Sequence, residues 1–267
     1  MDVFTTNEPP KRFHSWDDVP ALFRAGNNSL PEPWQTLFGP LQRPGRDGLV
    51  IVGQIGQSLD GRIATTTGHS HYINGEDGLA HLHRLRALVD VVVVGIGTAL
   101  ADDPQLTVRR VTGPHPARAV IDPGGKLPRD ARMLADDGAR RVVITTHDNK
   151  PGVPGAELLR LKPVGGSLPP QAIISGLSDL GFHRILIEGG ANTVSRFLAA
   201  GCLDRLHVVV APVVIGSGPS GLSLAPIDTM DQALRLAVRT HNLGNEILFD
   251  CDLSAQRATG GAAKKST

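Results

Sequence analysis

The feature that most constrains the fold is the alternation of short apolar runs with longer stretches of helical periodicity. The runs are rich in β-branched residues and lie at 48–56, 90–97, 117–122, 140–146, 183–188 and 205–216. Stretches with apolar residues at helical spacing lie between several of them, at 75–89, 170–181 and 191–201. Strands that alternate with helices form βαβ units, whose parallel strands are covered on both faces. The sequence therefore predicts an α/β fold with a mostly parallel central sheet and helices on both faces.

The two ends of the chain have a different character. Residues 1–48 carry many Pro, Gly and Asn, and predict an N-terminal extension of unknown role with a short helix near 16–26. Near the other end, two strand-like runs flank the turn "NLGN" and predict an antiparallel hairpin. The last stretch, 254–267, is polar and small and is predicted to be disordered. The main domain is accordingly placed at 49–253.

Composition excludes several classes of function. The formal net charge of +1 gives no basis for nucleic-acid binding, which needs clustered basic charge. No apolar run approaches the roughly 20 residues of a membrane helix, and the N-terminus lacks the apolar core of a signal peptide. The only cysteines, Cys202 and Cys251, are far apart, which argues against a disulfide framework and a CxxC metal site. We therefore expect a cytoplasmic protein with no nucleic-acid or membrane partner.

The stretch at 75–89 is the most clearly predicted helix. Asn74 is a good N-cap, and the leucines from Leu79 to Leu88 give an inward face. From the residues alone, Arg86 is expected to lie on the exposed surface of this helix. Two His-x-His pairs, at 69–71 and 81–83, could suggest a metal, but residues i and i+2 of a helix face different directions. We interpret them as loop and surface histidines and predict no metal site.

The segment "IEGGANTVSRFL", residues 187–198, places two glycines between a strand ending at Glu188 and a helix beginning at about Asn192. Such a turn lets the backbone approach a phosphate, and the free N–H groups of the helix point at it. Many α/β proteins turn a corner with two glycines, so this segment by itself favours a plain tight loop over a phosphate site.

Two other segments combine polar residues with the ends of buried strands. "SLDGRIATTTGHSHYI", residues 58–73, is either a flap over a ligand or a long surface turn. "LADDPQLTVR", residues 100–109, contains adjacent carboxylates, which point in different directions. We expect one of Asp102 and Asp103 to face a ligand and the other to cap a turn before Pro104.

Taken in order, the motifs SLDGRIA, LHRLRA, LADDPQLTVR and IEGGA resemble the pyrimidine reductases of riboflavin biosynthesis. In many members this reductase domain, the C-terminal part of RibD, is fused behind a deaminase; this chain resembles the stand-alone form over residues 49–253. The resemblance implies a dihydrofolate-reductase-like fold and a homodimer. It also implies reduction of 5-amino-6-(5-phosphoribosylamino)uracil to the ribitylamino product, with hydride passing from nicotinamide C4 of NADPH to ribose C1′.

The resemblance also implies roles for particular residues. Those at cofactor positions are Gly56, Tyr72, Thr98, Asp102, Gly190, Ala191, Asn192, Thr193, Val194, Ser195 and Arg196. Those at substrate positions are Ser70, Arg86, Leu106, Arg109 and Glu188. Asp102 is the candidate catalytic residue, which could stabilise a developing cation or relay a proton.

The chain departs from the family pattern at some positions. Tyr72 stands where tryptophan is common, and Gln54 stands where many relatives carry a lysine for the substrate phosphate. The zinc ligands of a deaminase are absent from the sequence. Two alternatives therefore stay open: a reductase of another heterocycle, such as a pterin or a secondary-metabolite pyrimidine, and a catalytically silent NADP-binding protein.

Overall fold

The computed structural model describes residues 15–26, 29–45, 47–70, 73–148 and 152–257. Its helices are α1 (Val19–Arg24), α2 (Trp34–Phe38), α3 (Glu76–Leu88), α4 (Ile96–Asp102), α5 (Pro170–Asp179) and α6 (Ala191–Ala199). Its strands are β1 (Val50–Ser58), β2 (Val91–Gly95), β3 (Ala117–Ile121), β4 (Arg141–Thr146), β5 (Glu157–Leu161), β6 (Arg184–Glu188), β7 (Arg205–Ala211), β8 (Ala237–Leu243) and β9 (Glu246–Asp252).

All nine of these strands form one sheet in the order β5-β4-β3-β2-β6-β1-β7-β9-β8. The first seven strands in the chain are parallel, and β9 runs antiparallel to both β7 and β8. The carboxyl ends of β1 to β7 therefore share one edge of the sheet, where ligands of open α/β sheets bind. The predicted mostly parallel sheet with a C-terminal hairpin is confirmed.

The core has one apolar layer on each face of the sheet. One layer packs Leu85 of α3 against residues of the central strands, among them Val92 and Leu186. The other packs α5 and α6 against the opposite side of the same strands, through residues such as Ile173 and Phe197. The central strands read as continuous Val and Ile runs because both of their faces are buried. In the described ranges, no helix is long and apolar enough to cross a membrane.

The segment before β1 packs on the α3 side of the core. Trp16, Phe23 and Phe38 are buried there, and the ring of Phe38 stacks on His81 of α3 at 5.6 Å between centroids. The predicted short helix is α1, preceded by a 3-10 turn at Trp16–Asp18. The predicted disordered tail falls largely on 258–267, which lie outside the described residues.

Two local predictions were wrong. The N-cap of α3 is Gly75 rather than Asn74, and the carboxylate of Glu246 from β9 accepts both the Gly78 N–H and an amide hydrogen of Asn74. The helix is therefore capped by a residue 168 positions away from Gly78, which no local pattern reveals. In addition, β7 ends at Ala211 and does not continue through the predicted run to 216, since Pro212 cannot donate to the ladder.

We expect Phe38→Ala to lower the free energy of unfolding by about 3–5 kcal/mol, because it empties a fully buried site between Trp34, Trp16 and His81. Urea denaturation would measure this. Arg43→Ala, at an exposed position of the same segment, is the control and should change stability by less than about 0.5 kcal/mol. Equal stability of the two variants would show that this segment adds nothing to the core.

Candidate active site

The turns after β2 and β6 meet at the carboxyl edge of the sheet. Thr98, in the first turn of α4, accepts a hydrogen bond on its Oγ1 from the Gly190 N–H at 2.9 Å. A Cβ atom added to Gly95 would lie 2.3 Å from the Thr193 Oγ1, and one added to Gly190 would lie 2.8 Å from the Thr98 Oγ1. The glycines therefore permit the close approach of the two turns, and the structure brings Thr98 and Gly190 together.

The N-terminus of α6 is open. Gly190 is its N-cap, without a side-chain cap, and its carbonyl accepts the N–H groups of Thr193 and Val194. The N–H groups of Ala191 and Asn192 have no acceptor among the described residues. Two unpaired N–H groups at the positive end of a helix, beside glycines that leave the backbone bare, fit a phosphate group of a dinucleotide.

Two other predicted cofactor residues in this helix are bound within the protein. The Ser195 Oγ accepts the Ser223 N–H at 2.9 Å, and the Arg196 Nη2 donates to the Leu168 carbonyl at 2.7 Å. Val194 is wholly buried in the core. The phosphate fit therefore rests on the backbone of the first turn rather than on these three side chains.

Gly56 lies inside β1, not after it, and its lack of a side chain has a local cause. A Cβ at this position would lie 1.8 Å from the Asn74 Oδ1. Because Gln54 pairs in register with Glu188, Gly56 reaches the same edge as the turn after β6. Gly56, Thr98 and Gly190 thus lie on neighbouring parallel strands or the turns that follow them.

Arg86 and Glu188 form a buried ion pair, contrary to the expectation of an exposed arginine. Their side chains are 5% and 10% exposed, and the Arg86 Nε donates to Glu188 Oε2 at 2.8 Å while the Nη2 bonds Oε1. The Arg86 Nη1 donates to the Thr107 carbonyl at 3.0 Å. Arg86 therefore positions Glu188, and its guanidinium is largely committed inside the protein.

The 103–109 segment contains the only described non-glycine residues with positive φ, Asp103 at 37° and Leu106 at 57°. The left-handed region is unfavourable for a leucine, and such residues persist where the surroundings impose the conformation. Leu106 is 1% exposed, which places it in the core rather than against a ligand. The Asp103 Oδ1 accepts the Arg132 N–H at 2.8 Å, so its carboxylate anchors a distant segment and does not cap a turn before Pro104.

Arg109 is the exposed cation beside the buried pair. Its side chain makes no hydrogen bond or ion pair with the described residues. Partial burial lowers its pKa, as do the charges of Arg86, Arg110 and Arg132, while Glu188 opposes the shift. A guanidinium held among like charges is well placed to receive an anion.

The remaining predicted residues lie at the margin of this edge or beyond the described ranges. Asp102 ends α4 and is exposed, and Ser70 is half-buried in the loop that leads to α3. Tyr72 lies outside the described residues. A cavity of about 510 Å³ is lined by residues that include Thr107, Arg118, Arg129 and Arg132, and none of the predicted site residues is among its lining.

The prediction of surface histidines was wrong for both histidines of α3. His81 is fully buried and its Nε2 lies 3.0 Å from the His207 Nδ1. His83 is 2% exposed, and its Nδ1 accepts the Arg109 N–H at 3.0 Å. The signal for these roles lies in partners distant in sequence, so the His-x-His spacing could not reveal them. His83 thus fixes the backbone at Arg109.

The fold and the site define the chain as an α/β domain with an open glycine turn and an uncapped helix N-terminus at the carboxyl edge of its sheet. Residues 50–249 match the family described as the RibD C-terminal domain. The chain belongs to this family.

Curated relatives extend the comparison. The chain is 34% identical over 211 residues to the 2,5-diamino-6-ribosylamino-4(3H)-pyrimidinone 5′-phosphate reductase of Methanothermobacter thermautotrophicus, covering 75% of this chain and 96% of that protein. It is 34% identical over 199 residues to the riboflavin biosynthesis protein RibD of Aquifex aeolicus, covering 72% of this chain and 54% of that one. The chain thus spans nearly all of the archaeal reductase and about half of the bacterial protein.

Among solved structures, RibD of Acinetobacter baumannii aligns with a TM-score of 0.67 at 27% identity, over 76% of this chain and 58% of that one. The expected dihydrofolate-reductase-like architecture is confirmed by this neighbour.

We expect the protein to lose stability as the pH falls below about 6.5, in part through His83. Burial, with the charges of Arg86, Arg109 and Arg110, lowers the pKa of His83 from 6.5 to about 3. Between pH 6.5 and pH 3 the unfolded chain binds a proton on His83 that the folded chain excludes. The contribution of His83 to the free energy of unfolding is therefore complete above pH 6.5. It is lost as the pH falls towards 3, by at most about 1.4 kcal/mol per pH unit.

His83→Asn keeps an acceptor at the Nδ1 position without a titrating group and should flatten the pH dependence. Urea denaturation at several pH values would measure it, with His147→Asn on the exposed loop after β4 as the control. If the free energy of unfolding of His83→Asn varied with pH as steeply as that of wild type, the assignment of this pH dependence to His83 would be refuted.

Proposed function

We propose that this chain is an NADPH-dependent reductase of riboflavin biosynthesis that acts on a phosphoribosylaminopyrimidine. The observation that carries the proposal is that Glu188, the last residue of β6, directly precedes an uncapped glycine turn suited to a phosphate, and that Thr98, which follows the adjacent strand β2, holds this turn in place. The family and the names of the curated relatives support the reductase assignment.

The chain offers a defined set of groups to such a cofactor. The N–H groups of Ala191 and Asn192 would hold a phosphate, and Thr98 fixes the turn that presents them. When bound, the reduced nicotinamide supplies the hydride for ribose C1′. The protein contributes placement and exclusion of water, and we assign to the exposed carboxylate of Asp102 the task of stabilising positive charge or relaying a proton.

Glu188 and Arg109 offer partners for the polar groups of the substrate. Arg86 uses two of the lone-pair positions of Glu188, so that the carboxylate can still accept hydrogen bonds from a pyrimidine N–H or amino group. Arg109, exposed and unpaired within the described chain, would bind the sugar phosphate. We propose 5-amino-6-(5-phosphoribosylamino)uracil as the substrate. The name of the archaeal relative favours its 2,5-diamino pyrimidinone counterpart as the second candidate.

Loss of absorbance of NADPH with each of these two compounds tests the function directly. We expect Arg109→Gln to raise the KM for the phosphorylated substrate about tenfold or more, because a charge-assisted hydrogen bond is lost, and to leave the KM for NADPH unchanged. Lys162→Gln, at an exposed position after β5, is the matched loss of charge and should leave both constants unchanged.

The outcomes separate the alternatives. NADPH oxidation only with a different heterocycle would indicate another substrate class. NADP⁺ binding without oxidation of NADPH by any aminopyrimidine would indicate a silent binding protein.

We also propose that the protein works as a cytoplasmic homodimer. Its two cysteines are unpaired and buried, which suits a reducing compartment. On the α6 side of β8 and β9, Val238, Ile247 and Phe249 are 45%, 36% and 37% exposed and form an apolar patch on a sheet face that also carries Thr240 and Asn242. Such a face is typical of an interface between subunits.

We expect Phe249→Glu to convert the dimer to a monomer, because a carboxylate would be buried without a partner at the interface. Analytical ultracentrifugation would measure the mass, with Lys162→Glu at an exposed site elsewhere as the control. A monomeric wild-type protein would refute the dimer.

A further inference from the structure

The turn after β1 and the segment after β7 are joined by a continuous set of hydrogen bonds. The strands are in register at their ends, where Ser58 pairs with Ala211. Beyond that point the Leu59 N–H donates to the Val213 carbonyl at 2.8 Å, and the Ile63 N–H to the Pro219 carbonyl at 3.0 Å. We refer to these two pieces of chain as the 58–64 turn and the 213–221 segment.

Asp60 is the centre of this junction. Its Oδ1 accepts the Ser58 hydroxyl at 2.6 Å and the Ile215 N–H at 3.1 Å, and its Oδ2 accepts the Gly216 N–H at 2.7 Å. The Ser58 hydroxyl, followed by the two backbone N–H groups, lowers the pKa of Asp60 to about 2. The carboxylate is therefore charged at neutral pH, and its hydrogen bonds are charge-assisted.

The 213–221 segment buries few apolar side chains. Val213 and Val214 are 41% and 70% exposed, so apolar burial contributes little to its position. A segment with few buried apolar contacts opens at low free energy, independently of the core. Its position consequently depends on polar contacts, chief among them those of Asp60 and those of Arg62 with the Gly218 carbonyl and the Ser220 hydroxyl.

The same segment leads to the proposed cofactor turn. Two residues beyond it, the Ser223 N–H donates to the Ser195 Oγ in the second turn of α6. The 58–64 turn, for its part, begins at Ser58, the last residue of β1, two positions after Gly56. Asp60 thus connects the chain leaving β1 with the chain that contacts α6, and both border the edge where the dinucleotide is proposed to bind.

We propose that Asp60 is a positioning residue of the reductase, whose carboxylate holds the 58–64 turn against the 213–221 segment and so shapes the edge that receives the cofactor. This inference rests on the proposed function for its effect on catalysis. The clamp itself is a property of the chain that can be measured without turnover.

Asp60→Asn is the test, because it keeps the size of the side chain but turns an N–H donor towards a backbone N–H. We expect amide hydrogen exchange in a peptide covering 212–221 to accelerate about tenfold or more, as a charge-assisted bond is lost. We expect the KM for NADPH and the Kd for NADP⁺ to rise by a similar factor, while the midpoint of thermal unfolding stays near that of wild type. Asp60→Glu, which keeps the charge, should lie closer to wild type in all three.

Asp228→Asn is the control, since it neutralises an exposed carboxylate that makes no hydrogen bond or ion pair with the described residues, in the loop that follows the 213–221 segment. It should change neither exchange nor cofactor affinity. Unchanged exchange at 212–221 in Asp60→Asn would overturn the clamp. Faster exchange with unchanged cofactor affinity would overturn the positioning role. A loss of free energy of unfolding as large as the loss of NADP⁺ binding free energy would overturn it as well.

Failure of the proposed function gives a different result. A wild-type protein that oxidises no NADPH with either aminopyrimidine would refute the reductase assignment, while exchange and NADP⁺ affinity would still decide whether Asp60 acts as a clamp.

Discussion

The buried pair of Arg86 and Glu188 joins three parts of the site through one guanidinium. Arg86 comes from α3, Glu188 ends β6, and the Thr107 carbonyl belongs to the 103–109 segment. Removing two charges from water is unfavourable unless each finds its partners, and loss of one partner strands the other in the interior. The pair therefore fixes α3 and the 103–109 segment relative to the carboxyl end of β6, which is the strand that leads into the glycine turn.

This pairing assigns different tasks to the two arginines that the sequence placed at substrate positions. Three N–H groups of Arg86 are used within the protein, whereas Arg109 is held by its backbone, through His83, and leaves its guanidinium outside. A fixed backbone with a free cation suits capture of a phosphate, because binding then orders only the side chain and not the backbone. The neutral state of His83 is part of the same arrangement, since a protonated ring could not accept the Arg109 N–H.

The sequence predicts the parts of this structure that follow from local pattern. The Val and Ile runs identify the buried parallel strands, and the glycine pair identifies the turn before α6. It could not predict features whose partners lie far away along the chain. Glu246 caps α3 from β9, His207 pairs with His81 from β7, and the aromatic residues before β1 bury themselves on α3 without any regular spacing. Each of these contacts pairs a polar group or buries an apolar face with residues that only the folded sheet brings close together.

The register of the sheet also explains the glutamine at position 54. Glu188, Gln54, His207 and Asp250 are consecutive partners across β6, β1, β7 and β9, and all four are buried on the same face. Arg86 already balances Glu188, and Arg205 balances Asp250 through its Nε and Nη2. A lysine between them would add a buried cation without a carboxylate of its own, which is unfavourable in a low-dielectric interior. The neutral amide therefore fits the charge balance of this row, and it is compatible with a phosphorylated substrate whose phosphate Arg109 is proposed to bind.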